Sequence, residues 1–516
     1  MIAGTIGLAV ALLGVGRAAA DDPPADPADR PADPADRSAD RSADPAGDAP
    51  APGDAPDTDD HEVREVAPPP EELPVPEPAV AAPDGETGFR FGSYGRIAAA
   101  TDLRGGRPER ISIVAHGPRV VEPSYLELEF QYGFRAPSGV LLRTVTTVAY
   151  DDQLFHETGK FEAGPAIRNL FAEAQWRNGA RAWVGSRMVR GDDLYLFDYW
   201  PLDDDNTVAA GGSLVKGKLT VEAHVGVNRL LDPFQFQEVD VAAPEQGATT
   251  IVQLNRQRMI GSTTIAYIVD GPARRHAMVK LHAQLHGLPA GDRRRATDQS
   301  IEHLPDDWGT TLGLELGAWT DPDDDGRSRH LNLFARWSKG LAAYDELAPP
   351  TSFGTDLRTF PRASELVLGA GMHADAKPGN VVAALYARRF VDADPVERDP
   401  DDGWEYAIDA RPLAKVRGDL HAGVDLSYQV RFPRGLDPLT GLAADPAVVQ
   451  VAPMLVYSPM GPSAFARPQL RVVYRAAHLN DAALGLYAEE DPRRDHAWVH
   501  YLGVQAEWWF NSSSYR

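Results

Sequence analysis

The sequence predicts an all-β protein whose main part is a large antiparallel transmembrane β-barrel. Residues 420–432 alternate between apolar and polar side chains without a break, and this run is longer than the usual strand of about 5–6 residues. A tilted membrane strand needs about 9–11 residues, so the segment is long enough to span a bilayer. Similar or looser alternation recurs at 125–132, 380–391, 470–477 and 499–510. A soluble multi-sheet β protein, such as a propeller, is the alternative interpretation.

The composition excludes several classes of protein. The chain has 516 residues, no cysteine and a formal net charge of −24. Without cysteine there is no disulfide framework, no thiolate zinc site and no cysteine nucleophile. The acidic balance argues against a nucleic-acid partner, because nucleic acids attract basic surfaces. No run of 18 or more apolar residues occurs, so a spanning helix is not predicted, whereas the alternating strands of a barrel keep hydropathy low.

Residues 1–20 have the character of a secretory signal peptide. Residues 6–15 form an apolar stretch of signal length, and the alanines at 18–20 offer a small-residue cleavage site before Asp21. No lysine or arginine precedes the apolar stretch, which departs from the usual pattern. The sequence therefore predicts export, with an imperfect signal.

Residues 21–87 form an acidic segment rich in proline, alanine and aspartate. It contains 20 acidic residues against 4 arginines, and 16 of the 43 prolines of the chain. Such a composition buries too little apolar surface to offset the entropy lost on ordering. We expect a disordered segment, which could serve as a spacer.

Residues 88–516 are the predicted barrel domain. If each strand and its connection take about 23 residues, the region holds roughly 18 strands, within the range of large outer-membrane barrels. Acidic turns separate the strands. The turn at 321–326 superficially resembles a calcium loop, but Asn332 stands where the bidentate glutamate is expected. A solvated acidic loop is the simpler interpretation, and no metal site is predicted.

Two motifs resemble the maltoporin family of sugar-specific outer-membrane channels. The first runs from Trp183-Val-Gly-Ser-Arg187 through a cluster of arginines, aspartates and aromatic residues that ends at Trp200. The second is the closing strand Gly503-Val-Gln505-Ala-Glu507-Trp508-Trp509-Phe510. The segments 92–96 and 119–127 are similar to the opening strands of the family. The middle of the chain, about 215–400, shows no strand-by-strand correspondence.

The resemblance implies a fold and a function together. Members of the family are trimers of 18-stranded barrels in the outer-membrane lipid, and their third loop folds inward to narrow each pore. They pass maltodextrin-type oligosaccharides by facilitated diffusion along a path of aromatic side chains, with charged residues opposite. The resemblance therefore implies a sugar channel and a homotrimer. It implies no enzyme activity, no catalytic residue, no cofactor and no nucleic-acid partner.

Site residues are assigned by position in these motifs and by strand face. Residues two apart share a strand face, so an aromatic residue and a charged residue at that spacing point the same way. Membrane-interface girdles also use Trp and Tyr, and Trp508 and Phe510 are assigned there, while Trp404 is either a pore residue or a loop anchor. The predicted aromatic slide is Tyr94, Tyr125, Trp404 and Trp509; the polar track is Arg96, Arg119, Glu127 and Glu507; the constriction is Arg187, Arg190, Asp193, Asp198, Tyr199 and Trp200.

Other functions remain open from the sequence. A general or anion-selective porin on the same barrel could use Arg96, Arg119, Arg187 and Arg190 to select anions. A barrel hydrolase would need a serine or acid beside a histidine, and no G-x-S-x-G motif is present. Saturable block by oligosaccharides separates the sugar channel from the general porin.

Overall fold

A computed structural model describes residues 87–512, with short gaps at 152–153, 156–158, 160–163, 244–246, 325, 351–356, 395–399, 401, 437–442 and 462. The predicted signal peptide, and all of the acidic segment except its last residue, lie outside the described residues.

The described chain forms a closed antiparallel barrel of 18 strands, as the sequence predicts. Strands that follow one another in the barrel pair with each other, and the last strand pairs with the first. Four further strands form two hairpins outside the barrel wall, β8 with β9 and β12 with β13. The strands are β1 Gly88–Thr101, β2 Tyr125–Arg135, β3 Leu141–Asp151, β4 Ala166–Gln175, β5 Ala180–Arg190, β6 Asp204–Lys216, β7 Leu219–Asn228, β8 Phe236–Ala243, β9 Gly247–Asn255, β10 Arg258–Asp270, β11 Arg275–Leu288, β12 Gly291–Arg294, β13 Ile301–Leu304, β14 Asp307–Thr320, β15 Arg329–Gly340, β16 Ser364–Ala376, β17 Gly379–Val391, β18 Gly403–Arg417, β19 Leu420–Pro433, β20 Ala447–Tyr457, β21 Gln469–Leu479 and β22 Trp498–Phe510.

Alternation along the strands separates a lipid-type outer face from a polar lumen. On β19, Leu426 is exposed on the outside, whereas its neighbours Asp425 and Ser427 are buried inside. On β22, Leu502 and Val504 face outward. Charged side chains therefore project into the lumen, where they meet other polar groups, and apolar side chains cover the outside.

The two rims of the barrel differ. Connections of 11 to 29 residues lie at one rim, and turns of 2 to 11 residues lie at the other, where β1 begins and β22 ends. The helical segments are short: an α-helix at Asp481–Leu484 and 3-10 turns at Tyr195–Phe197, Leu341–Ala343 and Pro492–Asp495. Within the described residues, no helix is long and apolar enough to cross a membrane.

Two long connections enter the lumen and fill part of it. Loop 3, residues 191–203, packs apolar side chains against the wall formed by β15 to β18. Loop 1, residues 102–124, also enters, which the sequence did not predict. Gln429 and Glu405 on the wall accept backbone N–H groups of loop 1, from Ile113 at 3.0 Å and Ala115 at 3.1 Å. The candidate site therefore lies around these two loops.

Candidate functional site in the barrel lumen

The strand before loop 3 carries the first motif of the sequence. The motif glycine, Gly185, has φ +132, and a Cβ there would stand 2.2 Å from the carbonyl oxygen of Leu170. This close approach explains why only glycine suits the position. Two residues on, the Arg187 guanidinium lies over the rings of Trp183 and Phe171, at 5.2 and 5.0 Å. Arg187 also donates to Glu173 Oε2 at 3.1 Å, so its charge is paired in the lumen wall.

Loop 3 is closed at its base by polar contacts. The Arg190 guanidinium stacks on the Trp200 ring at 3.6 Å and pairs with Asp204. The Gly191 N–H donates to Asp203 Oδ1 at 2.9 Å. These contacts join the two ends of the loop, so the tip between them is held as one structural unit. Arg190 and Trp200, both predicted constriction residues, thus lie together at the loop base.

The tip of loop 3 has an apolar side and a charged side. Leu194 N–H donates to the Tyr199 carbonyl at 2.7 Å, and Asp198 adopts the left-handed conformation, φ 53, that ends the 3-10 turn. Leu196 and Phe197 are buried against the wall. Tyr199 stacks on His116 of loop 1, with ring centroids 3.6 Å apart. Asp198 lies on the charged side.

Arg119 of loop 1 connects the charged groups. It donates to Asp198 Oδ1 at 3.1 Å, to Glu122 Oε1 at 2.6 Å and to the Tyr94 hydroxyl at 3.3 Å. Its backbone N–H donates to the Leu196 carbonyl at 2.9 Å. Because Arg119 contacts loop 1, loop 3 and β1, this predicted track residue brings together a predicted constriction residue, Asp198, and a predicted slide residue, Tyr94.

Tyrosines and charged groups alternate along the neighbouring strands. Arg96 pairs with Glu122 at 2.7 Å and donates to the Tyr94 hydroxyl at 3.1 Å. The rings of Tyr94 and Tyr125 are 5.8 Å apart between centroids. Tyr125 donates to Glu127 Oε1 at 2.6 Å. The predicted members of β1 and β2 therefore lie on one continuous part of the lumen wall.

A β-bulge supplies a cation that the sequence motif lacks. Thr147 pairs with Asn169, and the next residue, Val148, pairs with Ile167, so Arg168 is the extra residue. Bulges re-aim side chains, and here Arg168 contacts both Tyr125 and Glu127 inside the barrel. Arg168 lies outside the motifs found in the sequence, and the direction of its side chain depends on the bulge.

The closing strand completes this wall. Glu507 accepts from Arg467 at 2.7 Å and from Arg471, and Tyr94 donates to it at 3.4 Å. The Arg467 guanidinium lies over the Trp509 ring at 4.3 Å and donates to the Tyr195 hydroxyl at 2.6 Å. Sequence reasoning identified Glu507 and Trp509 but missed both arginines.

A second polar group lies on the wall formed by β15 to β18, mostly in the region the sequence could not align. Arg388 donates to Glu365 Oε1 at 2.6 Å, and Arg336 pairs with the same carboxylate. Tyr386 donates to Glu405 Oε1 at 2.8 Å and its ring meets Tyr199 edge-on at 5.7 Å. The looser alternation at 380–391, which β17 contains, was the signal that could have found Tyr386 and Arg388.

Trp404 lies outside the lumen. It shares a strand face with Tyr406, on which it stacks at 5.7 Å, whereas Glu405 between them is buried on the lumen face. Phe432 extends this outer aromatic group, meeting Tyr406 at 5.9 Å. The structure contradicts the slide role predicted for Trp404, because one residue of offset reverses the strand face. Its position suits a membrane-interface anchor.

The two aspartates of the loop 3 tip have different electrostatic surroundings. Burial raises the pKa of Asp193 to about 7, and repulsion by Asp198 acts in the same direction. Burial also favours the neutral form of Asp198, but the positive charges of Arg119, Arg96, Arg190 and Arg168 together outweigh it and lower the pKa of that carboxyl. Asp193 can therefore donate a hydrogen bond near neutral pH, while Asp198 accepts.

The assembled site offers hydrogen-bond donors and acceptors beside aromatic rings. Arg119 and Arg96 donate, Glu122, Asp198 and Glu507 accept, and tyrosines lie among them. Hydroxyl groups of a solute could exchange hydrogen bonds along this wall, and charge-assisted bonds are the strong ones. Among the described residues, no group of three His, Asp or Glu side chains is placed to hold a metal ion.

Comparison with known proteins gives one family match and several distant structures. A family model described as LamB porin matches residues 89–510. Acinetobacter baumannii OccAB1 is 12% identical, with TM-score 0.43, covering 82% of this chain and 96% of its own. Pseudomonas aeruginosa OccD3 is 9% identical, with TM-score 0.39, covering 83% and 91%. Vibrio cholerae OmpT in its trimer form is 11% identical, with TM-score 0.33, covering 82% and 100%. No curated protein matches the chain.

Proposed function

Since the chain belongs to the LamB porin family, we propose that it is a sugar-selective porin of the outer membrane. It passes maltodextrin-type oligosaccharides down their concentration gradient, without a chemical step, a cofactor or an energy source. Residues 1–20 direct export, and three copies of the barrel assemble in the membrane.

The contacts of Arg119 carry the sugar assignment. One guanidinium meets a carboxylate of loop 3, a carboxylate of loop 1 and a tyrosine hydroxyl of the wall, at 3.1, 2.6 and 3.3 Å. A sugar has apolar C–H faces and hydroxyl edges, so its channel needs aromatic rings beside charged donors and acceptors. A general porin needs only charged side chains in its lumen and no aromatic rings beside them.

The proposed roles follow the positions in the lumen. Tyr94, Tyr125 and Trp509 form the slide, without Trp404. Arg96, Arg119, Glu127 and Glu507 form the polar track. Loop 3 with Asp193, Asp198, Tyr199 and Trp200, together with Arg187 and Arg190 at the end of β5, narrows the passage.

The test is single-channel conductance of the purified protein in a planar bilayer, titrated with maltose, maltotriose and sucrose. We expect steps that close in threes and saturable block that strengthens with maltodextrin length. Arg119→Gln should weaken the block by about 10- to 100-fold, because hydrogen bonds to charged groups contribute about 1.5–3 kcal/mol.

Arg417→Gln is the matched control, since Arg417 is exposed at the turn rim. Open channels that no sugar blocks would reject the sugar assignment and favour a general or anion-selective porin.

A further inference from the structure

One connection at the rim of short turns is longer than the others there and folds into the lumen. It runs from residue 458 to residue 468, between β20 and β21, and we call it the inward turn. Its residue Ala464 is 3% exposed and belongs to the same apolar cluster as Leu194 of loop 3 and Val382 of β17. The inward turn therefore meets loop 3, which enters the lumen from the opposite rim.

The tip of loop 3 reaches far enough down the barrel to be met there. A Cβ at Gly371 would lie 3.3 Å from Leu194 Cδ2, so the tip lies against β16. β16 ends at Ala376, and the remaining five residues of the strand span roughly 17 Å. A segment that extends a short way inward from the turn rim can therefore contact the loop 3 tip.

Arg467 holds the inward turn inside the lumen. Its guanidinium donates to the carbonyls of Ala464 at 2.7 Å and Ala466 at 2.9 Å, which fixes the fold of the turn. It also donates to the Tyr195 hydroxyl at 2.6 Å and to Glu507 Oε2 at 2.7 Å. Because one side chain bonds to the turn, to loop 3 and to β22, the three segments are held together.

Phe465 is the aromatic side chain that the inward turn presents to the lumen. Its ring meets Tyr195 of the loop 3 tip at 4.9 Å and His373 of β16 at 5.2 Å, both edge-on. His373 is buried on the lumen face of β16, five strands away from β21 around the barrel. Phe465 itself is half-buried, so it remains accessible to a solute in the lumen that these contacts border.

The position of Phe465 extends the proposed slide toward the turn rim. Arg467 connects the two parts, since it lies over the Trp509 ring at 4.3 Å and bonds to Tyr195, whose ring contacts Phe465. Aromatic rings offer flat apolar surfaces of the kind that the C–H faces of a sugar can contact. With Trp404 outside the barrel, the inward turn supplies a ring that the strands do not.

We propose that Phe465 is a further specificity-determining residue, which narrows the passage between the loop 3 tip and the turn rim and contacts the sugar there. The passage is then narrowed from both rims, by loop 3 from one and by the inward turn from the other. This inference rests on the proposed function, because it adds a residue to the path of the sugar.

Two substitutions that change the ring size in opposite directions test the inference in planar bilayers. Phe465→Ala should enlarge the single-channel conductance and raise the half-blocking concentration of maltotriose roughly fivefold, the factor expected for loss of one aromatic contact. Phe465→Trp should lower the conductance without weakening the block. Met460→Ala is the matched control, since Met460 is exposed in the same turn, and it should change neither quantity.

The side from which the sugar is added locates the effect along the barrel. In channels of one orientation, Phe465→Trp should slow the entry of maltotriose added at the turn rim and leave its entry from the rim of long loops nearly unchanged. Equal slowing from both sides would place the effect at loop 3 and would overturn the inference.

The other outcomes separate this inference from the proposed function. Unchanged conductance and block in both Phe465 variants would overturn the inference and leave the sugar channel intact. A conductance that rises in both variants would mean that the ring only packs against loop 3, and this result would also overturn the inference. If no sugar blocks the unmodified protein, the proposed function and this inference fail together. Phe465→Leu replaces a variant that does not fold, and its conductance should lie between those of Phe465→Ala and the unmodified protein.

Discussion

The two sides of loop 3 differ in chemistry although they belong to one thirteen-residue segment. One side packs Leu194, Leu196 and Phe197 into an apolar cluster with Phe334 and Tyr386 of the wall. The other side presents Asp198 to Arg119 of loop 1. The apolar side holds the loop in place, and in the proposed function the charged side meets the solute, so anchoring and selection would depend on different residues.

The change of side occurs between two successive residues. Phe197 is 1% exposed in the apolar cluster, and Asp198, in the left-handed conformation, turns the chain back toward the arginines. Few residues other than glycine, asparagine and aspartate adopt this conformation readily. Aspartate therefore meets two requirements at position 198: it adopts the left-handed backbone conformation, and its carboxylate supplies the negative charge that pairs with Arg119.

The largest expected effect comes from breaking the apolar side. Phe197→Ala removes a buried ring and should weaken the anchoring of loop 3 by about 3–5 kcal/mol. We expect larger and more variable single-channel conductance and loss of sugar block, because the loop no longer stays at the wall. Leu231→Ala is the control, since Leu231 is 78% exposed in another long loop. Unchanged conductance in Phe197→Ala would mean that the charged contacts alone hold the loop.

A smaller effect is expected on the barrel wall, at two adjacent tryptophans of β22. Trp509→Ala should weaken sugar block roughly fivefold, since an aromatic contact contributes about 1 kcal/mol, with ion conductance nearly unchanged. Trp508 is the matched control: its indole lies outside the barrel, against Gly95, and donates to Ser93 Oγ at 3.1 Å. If Trp508→Ala and Trp509→Ala weaken sugar block equally, the Trp509 ring does not line the pore.

The smallest expected effect is a pH dependence of ion selectivity. The pKa of Asp193, raised to about 7 by burial and by Asp198, means that this carboxyl is mostly neutral at pH 6 and mostly negative at pH 8. The reversal potential in a KCl gradient should therefore shift toward cation preference as pH rises. Burial also raises the pKa of Asp203 to about 7, so Asp193→Asn should remove about half of the shift. If the reversal potential of Asp193→Asn shifts with pH as much as that of the unmodified protein, the titrating group is not Asp193.

The fold was predictable because strand alternation is a local signal. Residues 420–432 form β19 with alternating faces, and β22 places Glu507 inside and Leu502 outside. The entry of loop 1 was not predictable, because its segment has no periodicity and its position depends on wall residues such as Gln429, more than 300 positions away. Long-range contacts of this kind leave no trace in a short window of sequence.

The site was predicted in part. The motifs found Arg119, Asp198 and Glu507, which the structure brings close to one another through Tyr94. The slide assignment of Trp404, which the sequence left open against a loop anchor, was wrong because one position of offset reverses the strand face. Tyr386 and its arginine neighbours were missed because the motifs do not reach the middle of the chain.

The bulge at Arg168 shows that the pore can be altered by insertion as well as by substitution. Ile167 and Leu170 both face outward, with Arg168 and Asn169 between them, so the outward alternation resumes after one extra residue. Without a bulge, alternation counted back from the outward-facing Leu170 would turn Arg168 toward the lipid, where a charge is destabilising. A change of one codon in length thus adds a positive charge to the channel and leaves the membrane surface of the barrel as it was.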